Sequence, residues 1–135
     1  MFDLHLHHVS IPVRNLSVSA PFYENLFELE RLQRPDFGIP GVWFACGDQQ
    51  VHLIENSAGP YRNVPRIDVA DTHFAFWTSD FEHVLEKVKA SGFSDSVAKW
   101  DPMQILLSRR GLAGFPQFYL LDPDYNIIEV NSAPM

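Results

Sequence analysis

The feature that most constrains this 135-residue chain is that it repeats itself. Sliding it by 65 positions lays "HVSIPVRNL" (8–16) on "HFAFWTSDF" (73–81). His8 then falls on His73, Ile11 on Phe76, Asn15 on Asp80 and Leu16 on Phe81. Self-similarity at a fixed spacing implies two copies of one supersecondary unit. Each half reads as strand–helix–strand–strand–strand. Neither is large enough to close a core comfortably alone, so the two are expected to pack together.

The elements follow from local patterns. Residues 4–13 alternate apolar and polar side chains and read as a strand. Asn15 and Ser17 offer helix caps, and Pro21 fits if it falls in the first turn. Ala20, Tyr23 and Phe27, with Leu16 and Leu26 beside them, supply an apolar stripe at helical spacing. "RPDFGIPG" (34–41) is expected to break that helix, and "VWFACGDQQVHLIE" to form two strands around a turn at Gly47-Asp48. "NSAGPYRNVPR" (56–66) reads as linker. "HFAFWTSDFEHVLEKVKASGF" (73–93) then gives a strand, a turn and an amphipathic helix closed by Gly92. "MQILLSRR" and "FPQFYLLDPDYNIIEV" give three more strands, with "DPDYN" as a hairpin turn. The expected organisation is one domain over 1–135, built from module 4–56 and module 72–132 joined by linker 57–71.

Strand alternation sorts the side chains by face. Val9, Ile11 and Val13 oppose His8 and Ser10; Val51 and Leu53 oppose His52 and Ile54. Phe74 and Phe76 oppose His73, Ala75 and Trp77; Ile128 and Val130 oppose Glu129. Four times, one parity can cover a helix while the other carries one metal-competent side chain. His8, His52, His73 and Glu129 on a common sheet face suit a divalent first-row metal. Each of them alone would read as a polar residue on a solvated strand face; the repeat is what favours a site. His5 and His7 sit on the opposite parity near the start and are expected to be solvated or partly packed, and His83 to lie on a helix surface. Trp43, Trp77 and Tyr119 are candidates to line a pocket beside the metal. Arg14 is a candidate for holding a substrate carboxylate.

Together these motifs resemble the vicinal oxygen chelate superfamily, the group of glyoxalases, fosfomycin-resistance proteins, bleomycin-resistance proteins and extradiol dioxygenases. The carrying stretches are "HHVSIPVRNLSVSAPFY", "QVHLIE", "THFAFWTSDF" and "LLDPDYNIIEV", within residues 7–130. The resemblance implies an α+β fold of two βαβββ modules, each curling its mixed sheet into a half-cup around a metal. It places metal ligands at His8, His52, His73 and Glu129. The lactoylglutathione lyase pattern carries glutamate where this chain has His52, which leaves Glu129 as the one carboxylate of the set.

The function expected on that basis is a metal-dependent lyase or isomerase of glyoxalase type. It would act on a small molecule with vicinal oxygens, with Glu129 as ligand and general base. The alternatives are an Fe(II) extradiol-type dioxygenase and a non-catalytic antibiotic-binding protein of the bleomycin-resistance type. The cofactor would be a divalent ion among Zn, Ni, Co, Mn and Fe. A homodimer is expected, because small members of the family often build each cup from modules of two chains.

Composition narrows the rest. Hydrophobic residues make up 46%, with 11 Phe, so the chain can fill a core. Ten Lys and Arg against 17 Asp and Glu leave a net charge of −7, which argues against nucleic acid and anionic membrane surfaces. Cys46 is the sole cysteine, which excludes an internal disulfide or a thiolate cluster. The start "MFDLHLHH" does not read as a signal peptide, and no apolar run approaches spanning length, so a cytoplasmic location is expected.

Overall fold

A computed structural model describes residues 1–135. It divides into two compact units, Met1–Pro60 and Tyr61–Met135. Each has the strand–helix–three-strand order that the repeat predicts.

The first unit comprises β1 (His8–Val13), α1 (Leu16–Leu26), β2 (Glu30–Leu32), β3 (Gly41–Cys46) and β4 (Gln49–Glu55). Its mixed sheet runs β1-β4-β3-β2, with β1 parallel to β4 and the other pairs antiparallel. Asn15 caps α1, its side chain accepting from the Ser17 backbone N–H at 3.0 Å while its carbonyl accepts from Val18 and Ser19. The helix buries Ser19, Ala20, Tyr23 and Leu26, and the opposing sheet face buries Val13, Phe44, Val51 and Leu53. Tyr23, Phe44 and Leu53 are fully enclosed, so truncating one of them to Ala is expected to cost about 2–5 kcal/mol.

Two expectations need correction here. Pro21 lies beyond the first turn of α1, at its sixth residue, so the Ser17 carbonyl loses its intrahelical partner. The helix also stops at Leu26, well before "RPDFGIPG". Glu28 takes a positive φ of 54°, which turns the chain into the short strand β2. The apolar stripe continues through Phe27, so periodicity alone carried the helix too far.

The second unit comprises β5 (His73–Trp77), α2 (Phe81–Ala90), β6 (Leu106–Ser108), β7 (Gln117–Leu121) and β8 (Ile127–Asn131). Its sheet order, β5-β8-β7-β6, repeats the first, again with one parallel pair, β5 with β8. Phe81, Leu85 and Val88 form the buried stripe of α2, and Phe81 meets Phe118 edge to face at 5.4 Å. Gly92, at φ 107°, ends the helix, its N–H donating to the Lys89 carbonyl. No helix of the chain is long and apolar enough to cross a membrane.

Candidate metal centre

Strand pairing gives the candidates the parities that alternation predicts, but as one pair on each of two separate sheets rather than four on a common sheet face. In the first unit β1 and β4 align His8 with Gln50 and Ser10 with His52, while β3 sets Trp43 opposite His52. These side chains share the face turned away from α1. Their rings form a stack: His8 and His52 have centroids 4.0 Å apart at 15°, and Trp43 covers His52 at 4.4 Å and 9°. His52 is 6% exposed and its Nε2 lies 2.8 Å from Gln50 Oε1. That bond puts the His52 proton on Nε2 and leaves Nδ1 as the free lone pair. Burial holds the His52 pKa down to about 4, assisted by charge on His8, His7 and Arg34.

His7 is exposed, within the expectation that it be solvated or partly packed, but it is not isolated. Its Nδ1 lies 2.9 Å from His8 Nδ1, so one ring donates and the other accepts, and its centroid is 6.5 Å from that of His52. β1 begins at His8, so His7 precedes the regular strand and strict alternation does not bind it. His5 is exposed and bonds Asp3, and His83 is exposed on α2 beside Asp80 at 3.3 Å.

The second unit holds the carboxylate. Tight turn chemistry sets its register: Asp122 accepts from the backbone N–H groups of Asp124 and Asn126, and Tyr125 adopts a positive φ of 64°. β8 leaves this turn with Glu129 opposite Ala75 of β5 and Tyr119 of β7. Glu129, 8% exposed, has its Oε2 3.2 Å from His73 Nε2, and its Oε1 accepts from Asn131 Nδ2 at 2.9 Å. The Tyr119 hydroxyl also donates to this carboxylate. Burial, then the Glu129 charge and that bond, raise the Tyr119 pKa. The Tyr119 ring meets His73 edge-on at 5.6 Å.

His73 carries the orientation that metal-binding histidines need. Its Nδ1 lies 2.8 Å from the Asp71 carbonyl, which can only accept, so Nδ1 holds the proton and the neutral ring presents a lone pair at Nε2. That lone pair faces a carboxylate oxygen, an arrangement that a proton or a cation must bridge. This donor set fits a divalent metal. Across the chain no group of three or more His, Cys, Asp or Glu is assembled in metal-holding geometry. The structure forms two pairs, His8 with His52 and His73 with Glu129.

The pocket candidates separate. Trp43 and Tyr119 stand directly against the two pairs, whereas Trp77 is 47% exposed and donates from Nε1 to the Ala133 carbonyl. Arg14 lies one residue past β1 and is exposed. The arginine whose charge reaches His52 is instead Arg34, in a segment whose sequence signalled only a helix breaker.

A family model for the Glyoxalase/Bleomycin resistance protein/Dioxygenase superfamily matches residues 5–130. The chain belongs to this superfamily. Solved structures agree in fold. A protein assigned to the glyoxalase family from Bacillus anthracis superposes with a TM-score of 0.77 at 17% identity, covering 99% of this chain and 98% of that one. A variant of the fosfomycin resistance protein FosX from Listeria monocytogenes, complexed with Mn(II) and 1S,2S-dihydroxypropylphosphonic acid, gives 0.71 at 16% identity, covering 100% and 95%. Lactoylglutathione lyase from Agrobacterium tumefaciens gives 0.66 at 20%, covering 95% and 92%. The family model covers glyoxalase, bleomycin-resistance and dioxygenase members, and the fold of this chain is the one it shares with these solved structures.

Proposed function

We propose that this member is a metal-dependent enzyme of the lyase or isomerase type, acting on a small molecule with two adjacent oxygens. His8, His52, His73 and Glu129 would hold one divalent ion. The observation that carries the reading is the His73–Glu129 pair, on a ring already oriented by the Asp71 carbonyl. The Mn(II) complex of FosX supports a divalent metal here.

When bound, such a metal supplies electrostatic stabilisation for the charge that develops on a substrate oxygen as a proton leaves the neighbouring carbon. The protein's part is to move that proton. Glu129 Oε2 accepts it, while Asn131 holds Oε1 and the Tyr119 hydroxyl bonds the same carboxylate. A base fixed by two neutral donors keeps its geometry through proton transfer. Trp43 provides a flat apolar wall for the substrate's carbon skeleton.

The test combines metal analysis with one variant. Purified protein should carry or take up one divalent ion per chain and turn over a member of an α-ketoaldehyde and α-hydroxycarbonyl panel. Glu129→Gln should stay folded, keep much of the metal and lose about 10²–10⁴-fold in turnover, the range for removing a positioned base. Unchanged turnover eliminates the base role; a wild-type protein that takes up no metal eliminates the reading.

A further inference from the structure

We propose that Arg34 forms an oxyanion-binding site on the ring-lined face of the first unit, so that the compound bound there carries a carboxylate or phosphonate group. Arg34 lies in the segment between β2 and β3. Its Nε is buried and has no hydrogen-bond partner, and no carboxylate pairs with its guanidinium. This holds in a chain with 17 acidic residues and a net charge of −7. The nearest acidic residue in sequence, Asp36, borders the same cavity but is engaged within its own loop, its Oδ1 accepting from the Gly38 N–H at 2.8 Å. Leaving a charged donor buried and unmet costs stability, and such a group in a native protein calls for a partner.

The guanidinium is held rather than loose. Its Cζ lies 5.0 Å from the Phe37 ring centroid, a cation–π contact. A Cβ at Gly41 would lie 2.6 Å from the Leu53 carbonyl oxygen and 2.8 Å from both Cζ and Nη2 of Arg34. Gly41 thus admits a close backbone neighbour and the arginine together. A cavity of about 440 Å³ opens at this point, lined by Arg34, Asp36, Ile39 and Gly41 among others.

Position ties this cation to the metal-ligand candidates. Phe37 lies 5.9 Å from Trp43, and Trp43 stacks on His52 at 4.4 Å. A ligand reaching from Arg34 to His52 would cross one continuous aromatic wall. Carboxylates and phosphonates are the groups that a planar guanidinium fork grips by two parallel bonds, which a lysine ammonium cannot do. The inference deepens the metal-enzyme reading, and rests on it only in taking the bound compound to be the substrate.

The experiment uses the full chain labelled with ¹⁵N. The Arg34 Nε–H signal, identified by its loss in Arg34→Lys, is followed during titration with methylphosphonate, malonate and the neutral comparator ethylene glycol. A saturable shift with either anion and none with the glycol is expected. The anion that shifts it more identifies the headgroup. Arg34→Lys should weaken anion binding roughly tenfold by loss of the fork. A signal unmoved by both anions overturns the proposal, and so does anion binding unchanged in the lysine variant. The titration is made on metal-free protein, and Mn(II) uptake is measured separately for both forms. A wild-type protein that binds anion but no Mn(II) fails the metal reading alone; normal Mn(II) uptake with a silent Arg34 fails the anion site alone.

Discussion

The imidazoles of His8 and His52 lie face to face with centroids 4.0 Å apart, and the inner ring, His52, is 6% exposed. Protonating His52 would place a charge on a buried ring beside other cationic groups, and its pKa is accordingly held at about 4. In the unfolded chain the same residue titrates near 6.5. Between these values the unfolded chain binds a proton that the folded chain refuses, so acidification favours unfolding. Metal-free protein should lose stability as pH falls from about 6.5 to about 4, by an amount on the order of 3 kcal/mol for this group. Urea melts across that window check it. His52→Gln should flatten the acid side of the profile; an identical slope in that variant would show the stack is not responsible.

Metal uptake by single variants ranks the histidines. His8→Ala and His73→Ala should abolish it, and His5→Ala should leave it intact. His52→Ala should weaken it, since its Nε2 is already engaged by Gln50. His7→Ala is the informative case. Because His7 bonds His8 rather than presenting a strand-face ligand, uptake should persist. Calorimetric titration with Zn(II) decides the order. Loss of uptake in His7→Ala with retention in His8→Ala would place the ligand one residue earlier.

Each unit carries only two of the four candidate ligands, so a complete set needs one unit of each kind. We propose a homodimer in which the first module of one chain meets the second module of the other. Mixing separately inactive His8→Ala and His73→Ala proteins, then allowing exchange, should restore roughly a quarter of the wild-type metal sites, because mixed dimers rebuild one intact set. Sites completed within a single chain would restore none. Light scattering on metal-loaded protein should give the mass of a dimer.

The repeat and strand alternation made most of this fold legible. Apolar parity fixes which face of a strand each side chain takes, so the faces of His8, His52, His73 and Glu129 are readable from the sequence. The short strand β2 was not located, because Glu30–Leu32 has no alternation long enough to register against the helical stripe before it. Arg34 was invisible for a different reason. Its significance lies in what surrounds it, a ring, a glycine and a cavity brought together by the bend between β2 and β3, and no spacing in the sequence encodes that. Asp71 was likewise missed, since it acts on His73 through its backbone carbonyl, which any residue possesses.

In both sheets the strand furthest along the chain is an interior one: β4 lies between β1 and β3, and β8 between β5 and β7. A ribosome therefore delivers the centre of each sheet after its flanks. Until β8 emerges, β5 and β7 have no strand to join them, and neither does the carboxylate reach His73. Folding of the second unit must wait for nearly its whole length to be synthesised, with its unpaired strand edges open to wrong partners meanwhile. Shortening the chain to end before Ile127 would remove the middle of the sheet rather than fray its border. The same register that brings Glu129 to its histidine thus makes that carboxylate among the last parts of its unit to be put in place.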